Sequence, residues 1–237
     1  MGTMANDFDN EDTVIEPRVA VVGVGGAGCN VVNSVYWDFA SADTIAINTD
    51  RAALEAVSAD RKLFICRNVT KGQGTGGDSL LGRRCAQAHM DDICDALEGH
   101  DMVFIVAGMG GGTGTGAAPV VAEIAQRMKL ITFSIAINPF SFESARGRAA
   151  KGGMNQLRAV CPMTVSVEND LILQNRPDMA LKDAYRAVNK SVISFMKRQR
   201  TKTVEVLMEQ LRHLDSLIVD AGVPTSTGAV GGNVMTD

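Results

Sequence analysis

The 237-residue sequence lacks a long hydrophobic run and a secretory signal. No apolar stretch reaches the roughly 18 residues that a membrane-spanning helix needs. Residues 1–17 are acidic and do not have the basic-then-apolar order of a signal peptide. We therefore expect a cytoplasmic protein with no direct membrane segment.

The sequence also lacks a basic patch and a metal-binding pattern. The net charge is −4, and the most basic run, "KRQR" at 197–200, fits a solvated helix face, so no nucleic-acid partner is expected. The five cysteines contain no C-x-x-C pair, and the three histidines are scattered. This pattern predicts buried free thiols in a reducing compartment, with neither disulfides nor a bound metal.

What is present is an alternation of short apolar runs and helical stretches. Strands are predicted at 18–25, 44–50, 63–66, 101–109, 130–140 and 162–170, and helices at 28–39, 78–97, 118–129 and 143–160. Continuous apolar strands such as "RVAVVGVG" are typical of strands buried on both faces. The alternation predicts an α/β fold with a doubly wound, mainly parallel sheet, whose ligands bind beyond the carboxyl ends of the strands.

The sequence changes character near Pro177. From there, apolar residues recur every three or four positions without Pro or Gly for some 42 residues, which indicates one long amphipathic helix or two joined near Arg200–Lys202. The expected organisation is a disordered lead (1–16), an α/β domain (17–176), this helix (177–220) and a flexible tail (221–237).

Two glycine-rich segments each link a strand to a helix. "GVGGAGCN" at 23–30 has the Gly-x-Gly-x-x-Gly spacing of dinucleotide sites, although close helix–strand packing also needs small residues. The second segment, "GMGGGTGTG" at 108–116, permits a nest of backbone amides around an anion, with Pro119 expected near the start of the next helix. Together they predict one polyphosphate held from both sides, whereas "NTD" (48–50) and "KGQGTGGD" (71–78) also fit ordinary turns.

The segments at 23–30, 48–50 and 108–116, with "NPFSFE" at 138–143 and "END" at 168–170, resemble the tubulin/FtsZ superfamily in order and spacing over about residues 18–196. The resemblance implies a GTP-binding domain, a central helix and head-to-tail assembly. It implies GTP or GDP as ligand, with Mg²⁺ as an accompanying ion, and self-association as a dimer or filament, with FtsZ or another filament protein as a further partner.

The site residues predicted from the resemblance and from the glycine-rich segments fall into six groups along the sequence. They are Gly25, Gly26, Gly28, Cys29 and Asn30; Asn48 and Asp50; Gly76 and Gly77; Gly108, Gly110, Gly111, Gly112, Thr113, Gly114, Thr115 and Gly116; Pro139, Glu143 and Arg146; and Asn169, Tyr185 and Asn189. Glu143 matches a family glutamate near the ribose, Asn169 the residue that reads the guanine edge, and Tyr185 an aromatic that stacks on the base. Arg146 takes the role of an arginine that the family usually places where this chain has Gly147. Tyr185 and Asn189 are more like tubulin than FtsZ, and Tyr185 is also compatible with a core position.

The resemblance stops after the central helix. The family's acidic loop, which looks like "N-x-D-F-A-D" and completes the catalytic site of the next subunit, is not found, and the second domain of roughly 100 residues is missing. We expect a short form, natural or truncated, that binds GTP with weak or no hydrolysis, and no catalytic residue is assigned.

Two alternatives remain open at this point. One is a non-polymerising regulator of FtsZ that uses its nucleotide site as a switch. The other is an NAD-binding oxidoreductase based on Gly23, Gly25 and Gly28, for which Asp50 would be the acidic residue after the second strand. The second alternative leaves the segment 108–116 unexplained.

Overall fold

Six parallel strands form the sheet of this computed structural model, which describes residues 16–220 except the side chains of 144–145, 215 and 218–220. The strands are β1 (Val19–Val24), β2 (Ala42–Asn48), β3 (Arg61–Phe64), β4 (Met102–Gly108), β5 (Ile131–Asn138) and β6 (Thr164–Glu168). Their order is β3-β2-β1-β4-β5-β6, and every pair is parallel. The predicted doubly wound α/β fold is therefore confirmed, and the order reverses between β1 and β4, where such sheets bind ligands.

Helices cover both faces of the sheet. In the described residues they are α1 (Gly25–Asp38), α2 (Arg51–Glu55), α3 (Arg67–Thr70), α4 (Ser79–Ala88), α5 (Met90–Leu97), α6 (Gly112–Arg127), α7 (Ser144–Val160), α8 (Asp170–Asn175) and α9 (Leu181–Asp220). Alternate residues of β1 serve different faces: Ala20 and Val22 pack with α4 to α7, whereas Val21 packs with α1 and the first part of α9. Burial on both sides explains the uninterrupted apolar strands.

The expected helix at 78–97 is two helices. His89 leaves the helical conformation between α4 and α5, and its Nε2 accepts a hydrogen bond from the Cys66 amide at 2.9 Å. Its Nδ1 lies 2.7 Å from the Asp92 carboxylate. The helix is thus interrupted at His89, where the ring bonds to the distant Cys66 amide. The apolar periodicity of the sequence does not reveal this interruption.

The helix after the second glycine-rich segment begins earlier than expected. Helix α6 starts at Gly112, so Pro119 lies two turns inside it and not near its start, and that expectation was wrong. Glycine has low helix propensity, but contacts with the rest of the fold override it here. A consequence is that Pro119 has no N–H to donate to the Thr115 carbonyl, one turn back.

Close contact between α4 and α6 explains several of the glycines. A Cβ on Gly82 would lie 2.5 Å from the Gly112 carbonyl oxygen, and a Cβ on Gly116 would overlap the Ser79 carbonyl and lie 2.6 Å from Arg83 N. The two helix backbones can meet only because these side chains are absent. This contact places the loop that precedes α4 beside the first turn of α6.

The prediction of free thiols was wrong for one pair. Cys66 and Cys85 form a disulfide, with their Cα atoms 5.2 Å apart, while Cys29, Cys94 and Cys161 are free. The end of β3 and the middle of α4 meet in the fold, and sequence spacing does not reveal that proximity.

The described residues up to Met196 form one compact unit, and those from Lys197 form a second. Residues 181–220 are helical throughout, so the two-helix alternative with a joint near Arg200–Lys202 is not observed. The expected flexible tail and all of the expected lead except Glu16 lie outside the described residues.

We predict that Gly116→Ala lowers the free energy of unfolding by about 1–3 kcal/mol, because the added methyl forces α4 and α6 apart. Gly152→Ala is the matched control: Gly152 lies within α7, and a Cβ there would meet nothing within 4 Å. Its stability should stay the same or rise by up to about 1 kcal/mol through helix propensity. Urea unfolding followed by circular dichroism measures both, and equal midpoints would refute the packing argument.

Candidate functional site

Two helices begin at the carboxyl ends of the adjacent strands β1 and β4 with their amide groups uncapped. Over the residues that the structure describes, no side chain caps the N-terminus of α1 or of α6, and neither helix has an acidic residue in its first turn. By contrast, Asp50 caps α2 and Asp78 caps α4, with hydrogen bonds of 2.9 and 3.0 Å. The uncapped amides retain the partial positive charge of a helix N-terminus, which favours a bound anion.

The two glycine-rich segments lie directly against each other. Gly25 and Gly110 have φ angles of +72° and +89°, which glycine adopts without the steric cost that a side chain imposes. A Cβ on Gly25 would lie only 2.7 Å from the Gly114 amide nitrogen. The Gly110 amide donates to Thr115 Oγ1 at 2.9 Å, which fixes the turn before α6.

A cavity of about 620 Å³, the first cavity, lies at these two helix N-termini. Its walls come from both glycine-rich segments, from the end of β2 and from the loop before α4. The predicted residues that line it are Gly26, Asn48, Asp50, Gly76, Gly77, Gly108, Gly110, Gly111, Gly112, Thr113, Gly114 and Arg146. Backbone amides and glycines dominate this list, as expected of a phosphate site.

The "NTD" segment contributes a buried polar network to the first cavity. Thr49 Oγ1 and Thr113 Oγ1 are 2.7 Å apart, and Asn48 Oδ1 accepts from the amides of Thr49 and Asp50 at 2.9 and 3.2 Å. Asn48 is 2% exposed, yet its Nδ2 has no hydrogen-bond partner among the described residues. A buried donor without a partner is costly, and a phosphate oxygen in the cavity would satisfy it.

A second cavity of about 600 Å³ adjoins the first. The predicted residues that line it are Asn30, Gly108, Pro139, Glu143, Arg146, Asn169, Tyr185 and Asn189. Asn169 is 3% exposed, and within the described part of the chain its Oδ1 accepts no hydrogen bond. A guanine edge offers N–H donors, so this orphaned acceptor fits guanine.

Tyr185 stands at the second cavity as a partly exposed aromatic. Its ring makes an edge contact with Phe140, with centroids 5.4 Å apart, and 42% of the residue is exposed. Burial, and then the nearby Glu143 carboxylate, raise the pKa of the Tyr185 hydroxyl, so it stays neutral near pH 7. The half-exposed ring is available for stacking. Tyr185 is therefore not a fully buried core residue, which was the alternative that its place in the apolar pattern left open.

Arg146 lines both cavities and is the cationic side chain that they share. Its Nη1 donates to Glu143 Oε1 at 2.8 Å, and the Arg146 backbone packs against Gly110. Gly147, one residue further on, lines neither cavity. The register that assigns the family arginine to Arg146 therefore agrees with where the side chains lie, although ligand contact itself stays a prediction.

Five predicted residues line neither cavity: Gly25, Gly28, Cys29, Thr115 and Gly116. They pack the cavity walls instead, since a Cβ on Gly28 would overlap the Val106 carbonyl. The Cys29 thiol donates to the Gly23 and Ile47 carbonyls, both at 3.6 Å. Burial raises the pKa of this thiol to about 12, so it stays neutral at physiological pH.

Several lining residues were not predicted. Gln73, Gly74 and Thr75 lie in the first cavity, and Asn33, Ser34, Asn138, Lys182 and Arg186 lie in the second. Helical spacing could have found some of them: Asn33 and Ser34 are three and four residues after Asn30, and Asn189 Nδ2 donates to Ser34 Oγ at 3.0 Å.

Over residues 16–220, no group of three or more His, Cys, Asp or Glu is placed to hold a metal ion. In the same part of the chain, no helix is long and apolar enough to cross a membrane.

Comparisons with known proteins agree with this geometry. The sequence profile of the "Tubulin/FtsZ family, GTPase domain" matches residues 18–177. The cell division protein FtsZ 2 of Haloferax volcanii is 38% identical over 196 residues, which are 82% of this chain and 49% of that protein. FtsZ 1 of Pyrococcus furiosus is 40% identical over 185 residues, 77% of this chain and 50% of that protein. The chain thus spans about half the length of the curated relatives it matches.

Solved structures give the same result. An FtsZ structure from M. jannaschii, described as an empty dimer, superposes with a TM-score of 0.73 at 35% identity. The match covers 78% of this chain and 54% of that one.

Proposed function

The chain belongs to the tubulin/FtsZ family, and from that premise we propose that it binds GTP and GDP across the first and second cavities. One observation carries the proposal: two uncapped helix N-termini meet at a single cavity that adjoins a second one containing Asn169 and Tyr185. The phosphates would lie at the amides of α1 and α6. The guanine would lie between Tyr185 and Asn169 Oδ1.

Mg²⁺ is part of the proposal only as a companion of the phosphates. Protein Mg²⁺ sites commonly combine one or two carboxylates with substrate phosphates, and Asp50 is a carboxylate that lines the first cavity.

The proposed ligand is tested by titrating the purified chain with GTP, GDP, ATP and NAD in a calorimeter. The guanine nucleotides should bind and ATP should bind more weakly, since adenine has no ring N–H donor for Asn169 Oδ1. Preferential binding of NAD would favour the oxidoreductase alternative.

Arg146→Ala should weaken GDP binding about tenfold, because it removes a charge-assisted contact to the phosphates and the ion-pair partner of Glu143 in the adjoining second cavity. Arg148→Ala is the matched control, since Arg148 is an exposed arginine of the same helix that lines neither cavity. Equal affinities for the two variants would contradict the role given to Arg146.

We further propose that this chain alone hydrolyses GTP slowly or not at all. Phosphoryl transfer to water needs a positioned nucleophile as well as charge stabilisation. The cavities offer amides and a guanidinium for stabilisation. Residues 204–217 are helical, and the two carboxylates whose side chains are described there, Glu205 and Glu209, are exposed.

Phosphate release from GTP should be slower than about one turnover per minute. P-loop GTPases, which have a different fold, are comparably slow when the arginine that stabilises the transition state is missing. A coupled phosphate assay measures it. A faster rate that disappears in Gly114→Val, which blocks the contact with Gly108, would overturn the proposal.

Self-association through α9 is the assembly that we propose. In the unit that begins at Lys197, large apolar side chains are exposed along the helix, namely Val206, Leu207, Leu211, Leu214 and Leu217. Apolar surface of this extent usually marks an interaction site. The M. jannaschii FtsZ structure is described as a dimer, which supports the proposal of self-association.

We also propose a role in cell division, the process for which the relatives are named.

Sedimentation velocity should show a dimer or larger species, with the Leu211→Lys/Leu214→Lys double variant shifted to monomer because two charges would be buried in the interface. Glu209→Lys, an exposed polar position of the same helix, is the control and should still associate. A monomer with and without GTP in the unsubstituted chain would contradict assembly and favour the regulator alternative.

A further inference from the structure

The Cys66–Cys85 disulfide encloses the segment that forms one wall of the first cavity. Between the two cysteines, 19 positions apart, lie Gln73, Gly74, Thr75, Gly76 and Gly77, all of which line that cavity. One end of the enclosed segment follows the edge strand β3, and the other is fixed in α4. The bond therefore joins the two ends of a wall that the proposed nucleotide would touch.

The middle of this enclosed segment, residues 71–78, contains neither helix nor strand. It lies between α3 and α4, and positive φ angles occur in and beside it at Cys66, Lys71, Gly72, Gly74, Gly76 and Gly77. Glycine in a fixed conformation costs more backbone entropy than any other residue. The segment thus depends on its anchors for order.

Those anchors converge on one short stretch after β2. Thr70 Oγ1 and the Gly74 amide both donate to the Thr49 carbonyl, at 3.1 and 3.2 Å. The Arg51 amide donates to the Gly72 carbonyl at 3.0 Å. In addition to these hydrogen bonds and to the packing of α4, the disulfide restrains the segment covalently.

The two cysteines differ in their exposure to solvent. Cys66 is partly exposed at the start of the loop, whereas Cys85 is fully buried in the core against α6. The His89 ring accepts the Cys66 N–H at 2.9 Å and so holds the backbone at this residue. An external reagent would therefore reach Cys66 first, and Cys85 would respond from inside.

We propose that Cys66 and Cys85 are a reversible modification site through which a small-molecule disulfide controls nucleotide affinity, an inference that rests on the proposed function of the first cavity. The Cys66 thiolate attacks one sulfur of the reagent RS–SR, which forms a mixed disulfide and expels RS⁻. The expelled RS⁻ takes up the proton lost by Cys66 and leaves as RSH. The Cys85 thiolate then attacks Cys66 Sγ, which forms the Cys66–Cys85 bond and expels the second RSH. The protein loses two hydrogens and is oxidised, and the reagent gains them as two thiols and is reduced.

Oxidation should raise nucleotide affinity. With the bond closed, the wall that contains Gln73 to Gly77 is already ordered, so binding pays less conformational entropy. With the bond open, the nucleotide must order the segment itself. We expect GDP to bind about tenfold more tightly to the oxidised chain, within the usual range of coupling between two sites.

The coupling must be reciprocal, because each form of one site changes the free energy of the other by the same amount. At half-reduction, the equilibrium is given by the square of the reduced glutathione concentration divided by the oxidised glutathione concentration. Saturating GDP should therefore raise this quotient by about the same tenfold factor, in favour of the disulfide. This readout requires no catalytic activity.

The test uses the full 237-residue chain, equilibrated with oxidised glutathione or with dithiothreitol. Alkylation in denaturant followed by mass spectrometry should count three modified cysteines after oxidation and five after reduction, since three of the five are free in the structure. GDP affinity is then measured for both forms. Five modified cysteines after oxidation, or equal GDP affinities, would overturn the inference. Absence of GDP binding in both forms, with the disulfide formed, would overturn the proposed function instead.

Variants separate the bond from general effects of the reagents. Cys66→Ser should bind GDP like the reduced chain under both conditions, whereas Cys94→Ser, at a partly exposed free cysteine, should keep the dependence on the reagent. Cys85→Ala should behave as Cys66→Ser does, and if the loss of its buried side chain prevents folding, Cys66→Ser decides the question alone. Persistence of the redox response in Cys66→Ser would contradict the assignment.

Discussion

Direct backbone contact at the carboxyl ends of β1 and β4 is the constraint on which the rest of this structure depends. A Cβ on Gly25 would crowd the Gly114 amide, and a Cβ on Gly114 would lie 2.5 Å from the Gly108 carbonyl. Side chains are therefore excluded at Gly25 and Gly114, where α1 and α6 begin. What remains is a surface of uncapped amides, and the same glycines that permit close packing also create the anion site. Packing and function are thus one requirement on these residues.

The fold was largely predictable because its signals are local. Apolar strands buried on both faces and helices of 3.6-residue periodicity alternate along the chain, and parallel order follows from that alternation. The start of α6 was not predictable, since a run of glycines reads as a loop until α4 and β4 hold it in helical form. The pairing of Cys66 with Cys85 and the break at His89 likewise come from contacts between distant segments, which composition and spacing do not encode.

Like the fold, the candidate site contains some residues that the sequence predicted and others that it did not. Residues with unusual local chemistry, such as the glycine-rich segments and "NTD", were predicted and line the first cavity. Lys182 and Arg186 carry no such signal, and they reach the second cavity only because α9 runs beside α1. Conversely, Cys29 and Gly28 fall within a recognisable motif but serve the packing beneath the cavity. A motif therefore marks a neighbourhood, and the fold decides which of its members face the ligand.

The parts of the first cavity differ in how firmly they are held. The amides of α1 and α6 belong to helices that pack on the central strands, so their positions are set by the core. The wall from Gln73 to Gly77 depends on a few hydrogen bonds to residues 49–51, on α4 and on one covalent bond. Segments held by few contacts open most readily, and they are the segments that ligands order. A polyphosphate bound at the rigid amides would contact this wall as well, so the free energy of binding is necessarily coupled to the order of the wall. For that reason, any covalent change at its two ends acts on the site without touching the ligand.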